Sequence, residues 1–147
     1  DINGHGILLA GRSGAGKSTL SAMLKSAGCS ILCDDRMFVL KKDNRFHTYG
    51  SWCHGTTPDA SPGHAPLDAV FFLEQSGVNR ISMITDPGQA TIHLLQALVR
   101  PLMKRTGWET SLETIRQLAV NVVCYRLEFD LSGKICEKII AAVEQNE

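Results

Sequence analysis

A chain of 147 residues, 44% of them apolar and 20% charged, has the length and composition of an ordinary globular domain. Its fifteen basic and fifteen acidic side chains cancel, so no general field attracts nucleic acid or an anionic membrane surface. We therefore predict a single domain over residues 1–147, with no nucleic acid or membrane among its partners.

The five cysteines are odd in number and contain no C-x-x-C pair. That usage argues against a disulfide framework and for a reducing compartment. No apolar run approaches the roughly twenty residues of a membrane span, and no signal peptide precedes the first predicted strand. We expect a cytoplasmic protein.

An apolar run over Ile7–Ala10 leads into a glycine-rich segment, Gly11–Ser18, with the G-x-x-x-x-G-K-[ST] spacing of a P-loop, or Walker A motif. Glycines let backbone N–H groups converge on phosphate oxygens where a Cβ would clash. Lys17 would reach the β- and γ-phosphates, and the Ser18 hydroxyl would bind Mg²⁺. The predicted ligand is a nucleoside triphosphate. Its candidate binding residues are Gly11, Arg12, Ser13, Gly14, Ala15, Gly16, Lys17, Ser18 and Thr19.

The next stretch predicts a helix over Ser18–Ala27 that ends at Gly28, and a short strand over Ser30–Cys33. A helical crossover of this length would make that strand a parallel neighbour of the first. Asp34 and Asp35 would then lie beside the phosphates, at the carboxyl ends of the strands. Because adjacent residues of an extended chain point to opposite sides, one carboxylate would face the metal and the other the phosphoryl acceptor. The alternative is an Asp pair that makes a turn into the next strand.

The remaining chain predicts further strands and helices, and a long loop that faces the substrate. The predicted elements include a hairpin of Met37–Leu40 and Phe46–Tyr49, the loop Gly50–Pro66, and strands over Leu67–Leu73, Asn79–Ile84 and Val123–Leu131. Three helices are also predicted. The first is capped by Asp86 and carries an apolar stripe at helical spacing, with a kink or an early end at Pro101: Ile92, Leu95, Leu98, Val99 and Leu102. The second spans Trp108–Val123 and starts with the capping box Thr110–Glu113, and the third spans Gly133–Val143. The fold class that follows is α/β: a P-loop NTPase-like domain with a mainly parallel or mixed sheet flanked by helices.

Two other metal interpretations stay open. Cys53, His54, Asp59 and His64 could form a site, although their spacing matches no familiar zinc pattern. Glu74 ends an apolar strand that resembles a Walker B motif and is a second candidate for the metal carboxylate, behind Asp35.

The residues of three motifs, His5-Gly6, Gly11–Ser18 and Cys33-Asp34-Asp35, together resemble the C-terminal catalytic domain of the HPr serine kinase/phosphorylase family. The segments His54–Pro58 and Ala65–Gln75 look like those of the small HPr-kinase-like proteins, so the resemblance covers most of the chain. The Glu-Ile-Arg-Gly segment of the bifunctional enzymes is absent. The further metal ligand and any phosphorylase activity are therefore open.

The resemblance implies a role for each matching residue. Asp34 would be the acid/base at the serine hydroxyl, and His5 would support it. Ser18 and Asp35 would hold the metal. The role of Lys17 follows from phosphoryl-transfer chemistry instead, since its ammonium would neutralise phosphate charge during transfer. The family forms ring-shaped oligomers, which leaves a homo-oligomer as an open possibility for this chain.

These inferences predict an ATP- and Mg²⁺-dependent phosphotransferase that phosphorylates a serine hydroxyl of a protein or peptide. Two alternatives remain. One is a small-molecule kinase on the same scaffold. The other is a nucleotide-binding regulatory module that transfers no phosphate.

Overall fold

The computed structural model describes residues 1–51, 63–99 and 105–145, and the side chains of residues 105 and 106 lie outside that description. Its elements, in chain order, are β1 (Gly6–Ala10), α1 (Lys17–Ser26), β2 (Phe38–Lys42), β3 (Arg45–Tyr49), β4 (His64–Gln75), β5 (Arg80–Met83), α2 (Pro87–Ala97), α3 (Arg105–Asn121), β6 (Val123–Phe129) and α4 (Ile135–Glu144).

The long strand β4 organises the sheet. Its first residues pair with β3 in antiparallel fashion, and its remainder runs between β1 and β6, parallel to both. Strand β5 follows β6, antiparallel to it. The six strands form one mixed sheet in the order β2-β3-β4-β6-β5, with β1 on β4. The prediction of an α/β fold with a mixed sheet flanked by helices is confirmed.

Helices cover both faces of the sheet. Successive residues of a strand point to opposite faces, so Val70 and Phe71 of β4 belong to different cores. Phe71 packs with Leu20 of α1 and Ile139 of α4, whereas Val70 packs with apolar side chains of α2 and α3, including Leu118. Burial on both faces explains why the centre of β4 reads as an uninterrupted apolar run.

The predicted hairpin is confirmed, with a tighter turn than its polar stretch indicated. Asp43 and Asn44 form a two-residue connection, and their φ angles of 49° and 63° place both in the left-handed region. Such a turn matches the twist of the strands that it joins, and Asp and Asn tolerate its geometry. The end of α1 is confirmed as well: Gly28 has φ 95°, and the N–H of Cys29 donates to the carbonyl of Leu24 at 3.0 Å.

The predicted strand over Ser30–Cys33 is wrong. Ser30 exchanges two backbone hydrogen bonds with Asp1, of 2.8 and 3.0 Å, and the stretch joins no named strand. The crossover argument fails with it, because the parallel neighbour of β1 is β4 and the hairpin lies between them in sequence. The long strand β4, which is buried on both faces, lies beside β1, where the Ser30–Cys33 strand was predicted to lie.

The expectations for α2 and α3 hold in part. Asp86 caps α2 as predicted, accepting hydrogen bonds from the N–H groups of Gly88 and Gln89. The predicted apolar stripe is wrong, since Ile92 and Val99 are more than half exposed. The helix instead buries Ala90 and Leu94. Its expected continuation to Pro101 and Leu102 lies outside the described residues.

Helix α3 begins before the predicted capping box. It starts at Arg105, so Thr110 and Glu113 lie inside the helix and not at its first turn. The last strand and helix are confirmed within a few residues, as β6 and α4. None of the helices in the described part of the chain is both long and apolar enough to cross a bilayer.

Candidate functional site

The glycine-rich segment, Gly11–Ser18, joins the carboxyl end of β1 to the start of α1. Ala10 pairs with Phe72 of β4, and Gln75 at the end of β4 pairs with Phe129 at the end of β6. The segment therefore lies where the three parallel strands end, which is the edge at which open α/β sheets bind their ligands.

Two glycines of the segment are required by its geometry. Gly16 has φ 94°, and a Cβ on it would come within 2.7 Å of Cζ of Phe129. A Cβ on Gly11 would come within 2.9 Å of the Ala15 Cβ. Gly14 differs, because its φ of 81° is left-handed but a Cβ there would meet open space. The backbone thus makes a tight turn that packs against the ring of Phe129.

The amino end of α1 faces this turn without a side-chain cap. Gly16 is the N-cap residue and makes no capping hydrogen bond. The first intrahelical bond runs from the N–H of Leu20 to the carbonyl of Gly16, at 2.9 Å. The N–H groups of the first turn and the helix dipole therefore present positive potential to an anion.

Lys17 adds a full charge at the same place. Its Nζ donates to the carbonyl oxygens of Gly11 and Arg12, each at 3.0 Å. These neutral acceptors hold the ammonium against the loop and leave its charge available to an anion. Arg12 itself is exposed on the loop.

Sequence reasoning missed Gln75, which supports the loop from β4. Its Nε2 donates to the carbonyl of Gly14 at 3.1 Å. The period of a strand places Gln75 on the same face as Leu73, towards the loop, and Glu74 on the other face. The sequence signal for this contact is the position of Gln75 at the end of the central apolar strand.

Glu74 has a different partner. Its carboxylate accepts a hydrogen bond from Nε of Arg126 at 2.7 Å. On the next strand, Glu128 accepts from Arg80 at 2.6 Å. That hydrogen bond outweighs the effect of burial and lowers the pKa of Glu128. These pairs form a charge ladder across β4, β6 and β5, so Glu74 belongs to a structural network.

The Asp34–Asp35 pair lies on a bend of the chain. Asp34 is only 7% exposed. Asp35 is 44% exposed at its side chain and lies 3.6 Å from Nε of the adjacent Arg36. The carbonyl of Arg36 accepts from the Ser51 hydroxyl at 2.6 Å, which ties the bend to the base of the hairpin. The placement of both carboxylates beside bound phosphates stays a prediction.

His5 is not where its predicted role needs it. It lies at the amino end of β1, and its Nδ1 is 3.0 Å from Oδ2 of Asp68. The other oxygen of Asp68 accepts from Arg45 at 2.7 Å. At about 3.3 Å per residue, the length of β1 puts His5 roughly 20 Å from Gly11. The structure therefore does not bring His5 to the loop, and its contacts are those of a partly buried ion-pair cluster.

Metal ligands are sparse in the described part of the chain. No three or more His, Cys, Asp or Glu side chains are grouped there in a way that could hold a metal ion. Cys53, His54 and Asp59 lie outside the described residues, as does most of the predicted loop over 50–66. His64 belongs to β4, where its ring stacks on Tyr49 with centroids 5.2 Å apart. Magnesium needs only one or two protein oxygens besides phosphate and water, a requirement that the Ser18 hydroxyl on the first turn of α1 fits.

The fold resembles that of a solved structure over nearly the whole length of this chain. The Hpr(Ser) kinase/phosphatase from Coxiella burnetii superimposes with a TM-score of 0.55 and 16% sequence identity, over 98% of this chain and 84% of that chain. At this identity the likeness shows a shared fold, so the resemblance to HPr kinases holds at that level. No curated protein matches the sequence. The family model that matches, over residues 1–144, is that of the SynChlorMet cassette protein ScmC, and the chain belongs to that family rather than to the HPr kinases.

Proposed function

We propose that the protein binds ATP with Mg²⁺ and transfers the γ-phosphoryl group to a serine hydroxyl of a protein or peptide. The observation that carries this proposal is the amino end of α1, which follows the glycine turn and has no side-chain cap. The Lys17 ammonium is held against the same turn by the carbonyl oxygens of Gly11 and Arg12. The fold shared with an Hpr(Ser) kinase/phosphatase supports it.

The loop would bind the triphosphate mainly through its backbone. The N–H groups of Gly14 and of Gly16 to Ser18 would surround phosphate oxygens, whereas the N–H of Ala15 donates to the carbonyl of Arg12 at 3.1 Å and holds the turn. Lys17 would exchange its two carbonyl acceptors for phosphate oxygens. Gln75 would keep the Gly14 peptide oriented during this exchange, because the side-chain amide of Gln75 donates a hydrogen bond to the Gly14 carbonyl. Arg12, exposed on the loop, can add charge beside the γ-phosphate.

Magnesium would be held by the Ser18 hydroxyl, by Asp35 and by phosphate oxygens. The metal supplies charge neutralisation for the leaving diphosphate. Ser18 lies on the rigid first turn of α1. Asp35 is exposed and paired loosely with Arg36 at 3.6 Å, an ion pair that a divalent cation can replace.

Asp34 would act as the general base. It would accept the proton of the serine hydroxyl as the hydroxyl oxygen bonds to the γ-phosphorus, and the bond between the β- and γ-phosphates would break to release ADP. Its burial excludes competing water from the carboxylate. His5 has no part in this scheme, since it lies at the opposite end of β1.

A nucleotide-binding module without transfer activity is the competing function. The location of His5 favours it, because the histidine that the resemblance assigned to the base is paired with Asp68 instead. A small-molecule kinase would use the same loop and the same base, and only the acceptor separates it from the proposal.

Substitution of Asp34 separates transfer from binding. In the Asp34→Asn variant we expect calorimetry to show unchanged ATP affinity and labelled ATP to show phosphoryl transfer reduced about a hundredfold, the usual scale for a general base. Asp43→Asn, in the exposed hairpin turn, makes the same chemical change and should have no effect. The acceptors are a panel of serine peptides and a panel of metabolite alcohols.

Each result has a defined meaning. Transfer to peptides alone supports the proposal, and transfer to metabolites alone supports the small-molecule kinase. Transfer at the parental rate in Asp34→Asn would reject the assigned base. A parent protein that binds ATP but labels no acceptor would favour the regulatory module.

A further inference from the structure

Strand β5 is an edge strand of the sheet that the described residues form. It pairs with β6 and has no second partner among the described strands. The N–H of Ile84 donates to the carbonyl of Cys124 at 2.8 Å, which fixes the phase of the antiparallel ladder. Because bonded pairs alternate along such a ladder, Ser82 faces β6, whereas the backbone groups of Ile81 and Met83 point away from it.

An open groove of about 850 Å³ runs between this edge and α4. Apolar and small side chains make up much of its lining: Val78, Ile81, Met83, Tyr125 and Ala142. Val78 and Met83 are 51% and 57% exposed, so the apolar surface is accessible. A groove beside an unpaired edge can accept the alternate side chains of an added strand.

One cation of the groove lining, Lys138, has no acidic partner among the described residues. The Nζ of Lys138 donates to the carbonyl of Asn79 at 2.8 Å, and no carboxylate of the described residues forms a salt bridge with it. Arg80 differs, since it is paired with Glu128. A carboxylate on the occupant would therefore meet an ammonium that no described carboxylate neutralises.

We propose that β5 and this groove bind an extended segment of the protein or peptide substrate as an added strand, with apolar side chains in the groove and a carboxylate at Lys138. The identity of the occupant rests on the proposed function. Main-chain hydrogen bonds to Ile81 and Met83 supply affinity, and the groove supplies the preference for side chains. The ion pair between the occupant's carboxylate and Lys138 sets the register of the added strand on β5.

The position of β5 suits a docking site for a kinase substrate. Arg80 pairs with Glu128, one residue before the end of β6, so this end of β5 reaches the edge where the glycine-rich segment lies. A segment anchored on β5 can continue past that edge and present a serine there. Docking outside the reaction centre raises the local concentration of the acceptor.

The probe is a fluorescein-labelled peptide of alternating valine and threonine with one aspartate. Binding is measured by anisotropy and by backbone amide shifts, without ATP or Mg²⁺. We expect the amides of Ile81 and Met83 to shift. The matched probe carries N-methyl groups on the amides of one backbone edge, and we expect it to bind at least about fivefold more weakly, because it loses two or more hydrogen bonds.

Protein variants give an independent test. Lys138→Ala should weaken binding of the probe about threefold or more, as should replacement of its aspartate by asparagine. Lys134→Ala, at the start of the same helix, should leave binding unchanged. Equal binding of the methylated and unmethylated probes, equal effects of the two lysine variants, or shifts confined to other strands would overturn the proposal.

Two further outcomes are decisive. If the protein is a dimer that Met83→Pro dissociates, β5 pairs with a second copy and the proposal is rejected. If the probe binds β5 while the protein transfers no phosphate to any peptide, the docking site stands and the proposed function fails.

Discussion

The ring of Phe129 lies directly against Gly16, so close that a Cβ on Gly16 would fall 2.7 Å from Cζ. Phe129 is 2% exposed and belongs to the core between the sheet and α1. The ring therefore cannot move aside without disturbing that core. This contact joins the shape of the loop to the packing of the sheet.

The pair Gly14 and Gly16 gives a matched test of that contact. Both have positive φ, so alanine at either position strains the backbone by about 1–2 kcal/mol. Only at Gly16 does the new methyl meet the ring, which adds about 1–3 kcal/mol of overpacking. We expect urea unfolding to show a larger loss for Gly16→Ala than for Gly14→Ala. Equal losses would mean that Phe129 gives way freely.

Affinity for ATP should depend on Lys17. Removing its ammonium leaves phosphate charge uncompensated, and we expect Lys17→Ala to weaken ATP binding at least about tenfold, or 1.4 kcal/mol. Calorimetry measures the change, with Lys42→Ala on the exposed strand β2 as the control. Unchanged affinity in a folded Lys17→Ala protein would contradict the phosphate-binding role of the loop.

Stability should fall in acid partly through Glu128. Its hydrogen bond from Arg80 lowers the pKa below the ordinary 4.5 of a glutamate. Because the folded pKa is the lower one, the pair contributes fully above the unfolded pKa, and the contribution is lost as the pH falls through the folded pKa. The free energy of unfolding should thus decrease below about pH 4.5.

Arg80→Met should flatten that dependence, and Lys42→Met should not. Asp130 titrates in the same region, because hydrogen bonds from Ser132 and Asn79 lower its pKa to about 2. Carbon-13 NMR of the Glu128 carboxyl separates the two groups. A Glu128 pKa that is unaffected by Arg80→Met would contradict the cause assigned here.

The thiols should differ in reactivity. Burial raises the pKa of Cys124 to about 11. At Cys33 burial also raises the pKa, but hydrogen bonds from the backbone of Asp35 and from Ser51 outweigh it and lower the pKa. We expect a thiol reagent at mildly alkaline pH to modify Cys33 before Cys124, as followed by peptide mapping.

Unfolding without reductant should release all five thiols, and a consistent deficit of two would indicate a disulfide.

Local patterns predicted the elements whose signals lie within a few residues. The hairpin, the cap at Asp86 and the stop at Gly28 were all readable, because each depends on turn or cap chemistry of adjacent residues. The position of the glycine-rich segment after β1 was readable for the same reason. The apolar stripe of α2 did not predict its buried face, because tertiary packing buries Ala90 and Leu94 and leaves the larger Ile92 exposed.

Long-range pairing accounts for what the sequence did not predict. Nothing near Ser30–Cys33 indicates that β4 takes the place beside β1, because that choice is made by strands far apart in sequence. The contact of His5 is also long-range. The His-Gly pair matches a family motif, but the structure places His5 beside Asp68, which lies 63 residues away in sequence. The role of Gln75 likewise depends on long-range packing, because it supports the loop only where the end of β4 lies beside Gly14.

The position of β4 between β1 and β6 also sets an order of events during folding. The hairpin closes through a two-residue turn, which takes microseconds in isolation. Ile7, by contrast, must find Ala69 across more than a third of the chain, and the entropy of closing that loop is lost before any contact offsets it. A folding chain would therefore form its hairpin before its glycine turn, and the amino end of α1 would be among the last parts to pack against Phe129.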